Sequence, residues 1–100
     1  MQIVSVKSAR GDKLSIIVEV LEIAKENVLK TQIMYKANLS FTQLNDFLKF
    51  ILDNDLMSRT KTKRKEIYLV NEKGLDFLQK YNELAKLTKK HGDGNKNKFP

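Results

Sequence analysis

A chain of 100 residues, 41% of them hydrophobic, has room for one domain around one modest core. Its 19 Lys and Arg outnumber 12 Asp and Glu, and the net charge of +7 (pI about 9.7) favours a polyanionic partner, either nucleic acid or an acidic membrane surface. The lack of cysteine excludes disulfides and thiolate metal sites, and the single histidine, His91 in a polar tail, gives no basis for a zinc centre or a histidine-based catalytic dyad.

No apolar run reaches membrane-spanning length, and the N-terminus lacks a basic-then-apolar signal pattern. The expectation is a cytoplasmic protein with no cofactor and no metal. No nucleophile–base pair can be assembled, so an enzyme is not expected.

Met1 to Lys7 alternates apolar and polar residues and reads as a short strand or an extended arm, within an N-terminal segment 1–11 that Gly11 closes. Asp12 then caps a first helix over Lys13 to Glu26, with Leu14, Ile17, Val18, Leu21 and Ala24 as its inward stripe. Val28 to Lys36 reads as a second helix that buries Leu29, Ile33 and Met34. A tight turn at Ala37-Asn38-Leu39 leads to the third helix, residues 40–54. Ser40 and Gln43 have capping-box spacing, which defines where that helix begins. Phe41, Leu44, Phe47, Leu48, Ile51 and Leu52 form a core-facing stripe, and Thr42, Gln43, Asn45, Asp46 and Lys49 fall opposite. Those polar side chains suit base edges in a major groove and suit water equally well.

Leu56 to Arg59 and Glu66 to Val70 have strand composition, joined by Thr60 to Lys65. This is a β-hairpin whose loop lacks the Asn-Gly or Gly of a two-residue turn. Arg59, Lys61, Lys63, Arg64 and Lys65 place five cations within seven residues. A charge run is commonly a solvated face. Here it follows a helix-turn-helix pattern, and a phosphate backbone would neutralise it with release of counterions. Asn71 caps a last helix that runs to Lys90. Leu75 and Leu78 are expected on the core. Tyr81, Leu84, Ala85 and Leu87 are expected either against a second copy or folded back within one chain. Residues 91–100 are Gly-, Asn- and Lys-rich and are expected to be disordered.

Three helices, a hairpin and a C-terminal helix give an α+β chain with the element order of a winged helix-turn-helix domain over residues 12–90. The run Lys30-Thr31-Gln32-Ile33-Met34-Tyr35-Lys36-Ala37-Asn38-Leu39-Ser40, then Leu48 to Leu52, Leu56 and Asn71-Glu72-Lys73-Gly74, resembles the small archaeal winged-helix proteins. Among these are basic, chromatin-associated DNA-binding proteins that dimerise through a long C-terminal helix. The resemblance implies double-stranded DNA as partner, a homodimer joined by antiparallel last helices, an archaeal or archaeal-viral source and a nucleoid location.

The residues expected to carry binding are Thr42, Gln43, Asn45, Asp46 and Lys49 in the groove, and Arg59, Lys61, Lys63, Arg64 and Lys65 on phosphates. Tyr35, Lys36 and Asn38 are placed on the backbone at the head of the third helix, with Arg10 and Lys13 as additions. Whether the protein acts as a transcriptional regulator or an architectural protein stays open. The alternative is a winged-helix module that docks a protein and touches no DNA. RNA is a weaker option, because exposed aromatics on a sheet are missing.

Overall fold

Seven elements follow one another along residues 12–88, the part of the chain that the computed structural model describes. They are α1 (Lys13–Ile23), β1 (Val28–Leu29), α2 (Lys30–Ala37), α3 (Phe41–Asp53), β2 (Met57–Lys61), β3 (Glu66–Val70) and α4 (Glu72–Thr88). The expected strand or arm at 1–11, including Arg10, and the expected tail at 91–100 lie outside the described residues.

The Asp12 side chain accepts the Leu14 N–H at 3.0 Å and starts α1. The helix buries Ile16, Ile17, Val20 and Leu21. Leu14, expected on the inward stripe, is 41% exposed, and Val18 is only partly buried. The packed face of α1 is turned toward Ile16 and Val20 because α2 and α4 both press on it. The helix also stops short of Glu26: a turn carries the Ala24 carbonyl to the Val70 N–H at 2.8 Å.

Val28 and Leu29 form a strand and not the start of the second helix. They pair antiparallel with β3, Val28 opposite Tyr68 and Leu29 opposite Ile67. The Leu29 N–H then donates to Gln32 Oε1 at 2.8 Å, which begins α2 at Lys30. Helical periodicity did not distinguish these two residues, because only a partner distant in sequence makes them a strand. The sheet order is β1-β3-β2, and β2 pairs with β3 from Met57 opposite Val70 to Lys61 opposite Glu66.

The core gathers Val20 and Leu21 from α1, Ile33 from α2, Leu44 and Ile51 from α3, and Tyr68 from β3. On α3, Leu44, Leu48 and Ile51 are buried, whereas Phe41 is 62% exposed and Phe47 and Leu52 are partly buried. The inward stripe is thus narrower than expected, since the first turn of α3 projects past the end of the core.

Asn71 caps α4 as expected, its Oδ1 accepting the Gly74 N–H at 2.8 Å. Gly74 weakens an isolated helix, but here it is required. A Cβ at this position would run into the Leu56 carbonyl oxygen and a Val70 methyl group. Close approach at Gly74 centres the packed face of α4 on Gly74, Phe77 and Leu78. Leu75 is thereby turned outward to 46% exposure, against expectation, while Leu78 is 2% exposed. Gly74→Ala should lower stability by about 1–3 kcal/mol through overpacking, despite the better helix propensity of Ala. A urea midpoint below that of the parent protein is the expected outcome, and a higher midpoint would mean that the contact yields.

Candidate nucleic-acid interface

The corner between α2 and α3 is held at both ends by hydrogen bonds. Asn38 adopts a left-handed conformation (φ 55°) and closes α2, with the Leu39 N–H reaching the Met34 carbonyl at 3.0 Å. Asn is among the few residues that tolerate this conformation. Ser40 Oγ accepts the Gln43 N–H at 3.1 Å, and Gln43 Oε1 accepts the Ser40 N–H at 2.9 Å. This reciprocal cap aims α3. It also engages one lone pair of Gln43 Oε1, so that the amide N–H groups are the less encumbered part of that side chain for meeting a base.

The outward ridge of α3 carries Thr42, Gln43, Asp46, Lys49, Phe50 and Asp53, all exposed. Lys49 Nζ lies 2.9 Å from Asp53 Oδ2. That hydrogen bond, followed by the charge of Asp53, raises the Lys49 pKa and keeps the side chain cationic. With Asp46 and Asp53 against one Lys, the ridge is net acidic. Asn45 is half-buried and stands aside from the ridge, on the flank that faces the sheet.

The hairpin of β2 and β3 turns through a four-residue loop, 62–65. The Thr62 N–H donates to the Lys65 carbonyl at 2.8 Å, and Thr62 Oγ1 accepts the N–H groups of Lys65 at 3.2 Å and Arg64 at 3.4 Å. Thr62 therefore does the work that glycine does in a tighter turn. The five hairpin cations divide in two. Lys61 sits 3.7 Å from Glu66, and Arg59 lies beside the same carboxylate in a cleft. Lys63, Arg64 and Lys65 at the tip are exposed and make no ion pair among the described residues.

That cleft, about 350 Å³, lies between α3 and the sheet. Lys30, Asn45, Lys49, Asp53, Arg59 and Glu66 line it, with Tyr68 as another wall. Residues from α3 and from the hairpin share one cavity, so ridge and wing lie side by side. Tyr68, 1% exposed, donates its hydroxyl to Glu66 at 2.8 Å. This bond lowers the Glu66 pKa against an opposing desolvation, and Lys61, Arg59 and Lys30 add to the lowering. Burial, followed by the Glu66 hydrogen bond and charge, pushes the Tyr68 hydroxyl up.

Residues 12–88 hold 13 Lys and Arg against 11 Asp and Glu, and five of the 13 fall between Arg59 and Lys65. Outside the hairpin cations the described body is net acidic. Tyr35, 79% exposed, Lys36 and Asn38 cluster at the end of α2, and Lys13 is exposed at the start of α1. Sequence reasoning missed Lys30, whose Nζ stands 4.9 Å from the centroid of the Phe41 ring. No spacing rule joins those two residues, which belong to different helices.

A family model described as winged helix-turn-helix matches residues 10–89. An uncharacterized protein of Methanocaldococcus jannaschii is 35% identical over 81 residues, which are 80% of this chain and 36% of that protein. The chain thus spans about a third of the length of this curated relative. Among solved structures, Sso10a-2, a DNA-binding protein from Sulfolobus solfataricus, superposes with a TM-score of 0.69 at 17% identity, over 76% of this chain and 80% of its own. The homodimeric winged helix-turn-helix DNA-binding domain Mb0332 of Mycobacterium bovis superposes with a TM-score of 0.63 at 13% identity, over 96% and 100%. At these identities the likeness is one of fold.

A carboxylate whose pKa is lowered by folding adds stability above its unfolded value, here 4.5, and loses it as pH falls through the folded value. Glu66→Gln removes this acid-sensitive increment. Between about pH 6 and about pH 3 the variant should lose less thermal stability than the parent protein. Parallel losses in a pH series of unfolding curves would assign the acid sensitivity elsewhere.

Proposed function

The chain belongs to the winged helix-turn-helix family, and from that premise we propose that it binds double-stranded DNA, with α3 in the major groove and the hairpin tip on the flanking phosphates. The observation that carries this reading is the charge distribution. The cations at Arg59, Lys61, Lys63, Arg64 and Lys65 stand on an otherwise acidic body. Crowded like charges destabilise a folded domain, whereas phosphate neutralises them and frees counterions. A hairpin that docks a protein has no need of such a cluster.

Binding led by phosphates fits the state of the ridge. Gln43 is partly engaged in the cap, Lys49 is paired, and Thr42 and Asp46 are left as the principal groups able to meet base edges. Such a surface positions a protein on DNA more than it discriminates sequence. We therefore favour a chromatin-associated, DNA-coating role in the nucleoid over control of a single operator. Tyr35, Lys36 and Asn38 extend the backbone contacts from the end of α2.

A homodimer through α4 belongs to the same proposal. Leu84 is 59% and Leu87 83% exposed, with Ala85 beside them. Leu14, Leu56, Phe77, Tyr81 and Leu84 line an apolar groove of about 400 Å³ along this helix. An antiparallel second α4 would cover both, and the Mycobacterium bovis neighbour described as homodimeric offers a parallel. Dimerisation would present two basic hairpins to one duplex.

If five hairpin cations meet phosphates, log affinity should fall with log salt at a slope of about −4.5 per protomer. Replacing Lys63, Arg64 and Lys65 together by Ala should remove about 2.7 of that slope and weaken random and chosen duplexes alike. Slopes near zero in a salt series would exclude the hairpin from the interface. For the dimer, Leu84→Glu combined with Leu87→Glu should give a monomer in light scattering with the fold intact. A persistent dimer would place the subunit contact elsewhere.

A further inference from the structure

The cleft between α3 and the sheet gathers cations from three separate elements: Lys30 opens α2, Lys49 lies in the middle of α3, and Arg59 is on β2. Two carboxylates share the space. Asp53 holds Lys49 at 2.9 Å, and Glu66 receives the Tyr68 hydroxyl at 2.8 Å while standing 3.7 Å from Lys61. Lys30 rests against the Phe41 ring. Lys49 and Asp53 of the ridge line the cleft together with Arg59 and Glu66, which belong to the two strands that carry the basic tip. We propose that it is the seat of one backbone phosphate, held by Lys30, Lys49 and Arg59, and that Asp53 is an intramolecular competitor that occupies Lys49 in the absence of DNA. The inference rests on the DNA-binding reading above.

Carboxylate and phosphate are both oxyanions, and each satisfies the same ammonium and guanidinium donors. Exposed ion pairs are weak, so a phosphate that belongs to a polyelectrolyte can displace them. Lys49 moves from Asp53 to the phosphate by changing rotamers alone, because its side chain is long and solvated. Arg59 is better placed to stay, since the Tyr68–Glu66 hydrogen bond holds one wall of the cleft beside it. The seat would make affinity depend on Lys30, a residue on neither the ridge nor the wing.

The test is anisotropy binding of one random duplex across a salt series, with the full chain and three variants. Replacing Lys30, Lys49 and Arg59 together by Ala should flatten the salt slope by about 0.9, the loss of one shared phosphate, whereas three separate contacts would give about 2.7. Asp53→Asn should bind tighter by about two- to fivefold, the gain from freeing one exposed cation. Glu83→Gln, on α4 and outside the cleft, makes the same change in net charge and should change affinity less than Asp53→Asn. If the parent protein binds, but the triple variant keeps its slope or Asp53→Asn only matches Glu83→Gln, the seat is overturned while DNA binding stands. If the parent protein binds no duplex at low salt, the DNA-binding reading itself fails. Unfolding curves of the three variants separate lost contacts from lost fold.

Discussion

The pairing of β3 with strands on both its sides holds this molecule in one frame. β1 precedes the helix-turn-helix and β2 follows it, and both hydrogen-bond to β3. The central strand thereby locks the start of α2 and the end of α3 to the same sheet. Tyr68 reinforces the link from within. Its ring is among the largest buried side chains, it lies opposite Val28 on one side and Arg59 on the other, and its hydroxyl reaches Glu66. Without this strand the hairpin would have no reason to stand beside α3.

Electrostatics then follow from where the frame sets each charge. Acidic side chains are spread over the helices, and several are paired within one or two turns, as in Glu22 with Lys25, Asp53 with Lys49 and Asp76 with Lys80. Such pairs add little stability, but they remove those cations from the outward field. The tip of the hairpin has no such partners among the described residues, so its charge stays available. A polyanion approaching the molecule meets a field concentrated at one end of the sheet.

The helix that faces outward beside this tip is constrained by its own stability. Gln43 and Ser40 satisfy each other at the N-terminus. At the other end Asp55 adopts a left-handed conformation (φ 59°), the Leu56 N–H reaches the Ile51 carbonyl at 3.0 Å, and Asn71 Nδ2 donates to the Asp55 carbonyl at 2.8 Å. Two helix ends thus close on Asn or Asp where glycine is commoner. The same groups that make α3 rigid are the ones a sequence-reading surface would want unengaged, which is why phosphate contact and not base readout dominates the proposed binding mode.

Local rules, acting over a few residues, were enough to determine the Ser40–Gln43 cap, the Asn71 cap, the turn at Asn38, the hairpin with its basic loop and the order of the major elements. Capping, turn chemistry and charge runs depend on neighbours along the chain, so they are legible in it. Tertiary structure alone decided that Val28 and Leu29 are a strand, that Phe41 and Leu75 face outward, that Gly74 is obligatory, and that Lys30 and Arg59 share a cleft with Asp53 and Glu66. Each of these depends on a contact between residues far apart in sequence: Val28 with Tyr68, Gly74 with the Leu56 carbonyl, Lys30 with Phe41. Periodicity says that a face is apolar, but the neighbour that presses on it decides which residues are covered, and that neighbour is chosen only when the chain closes on itself.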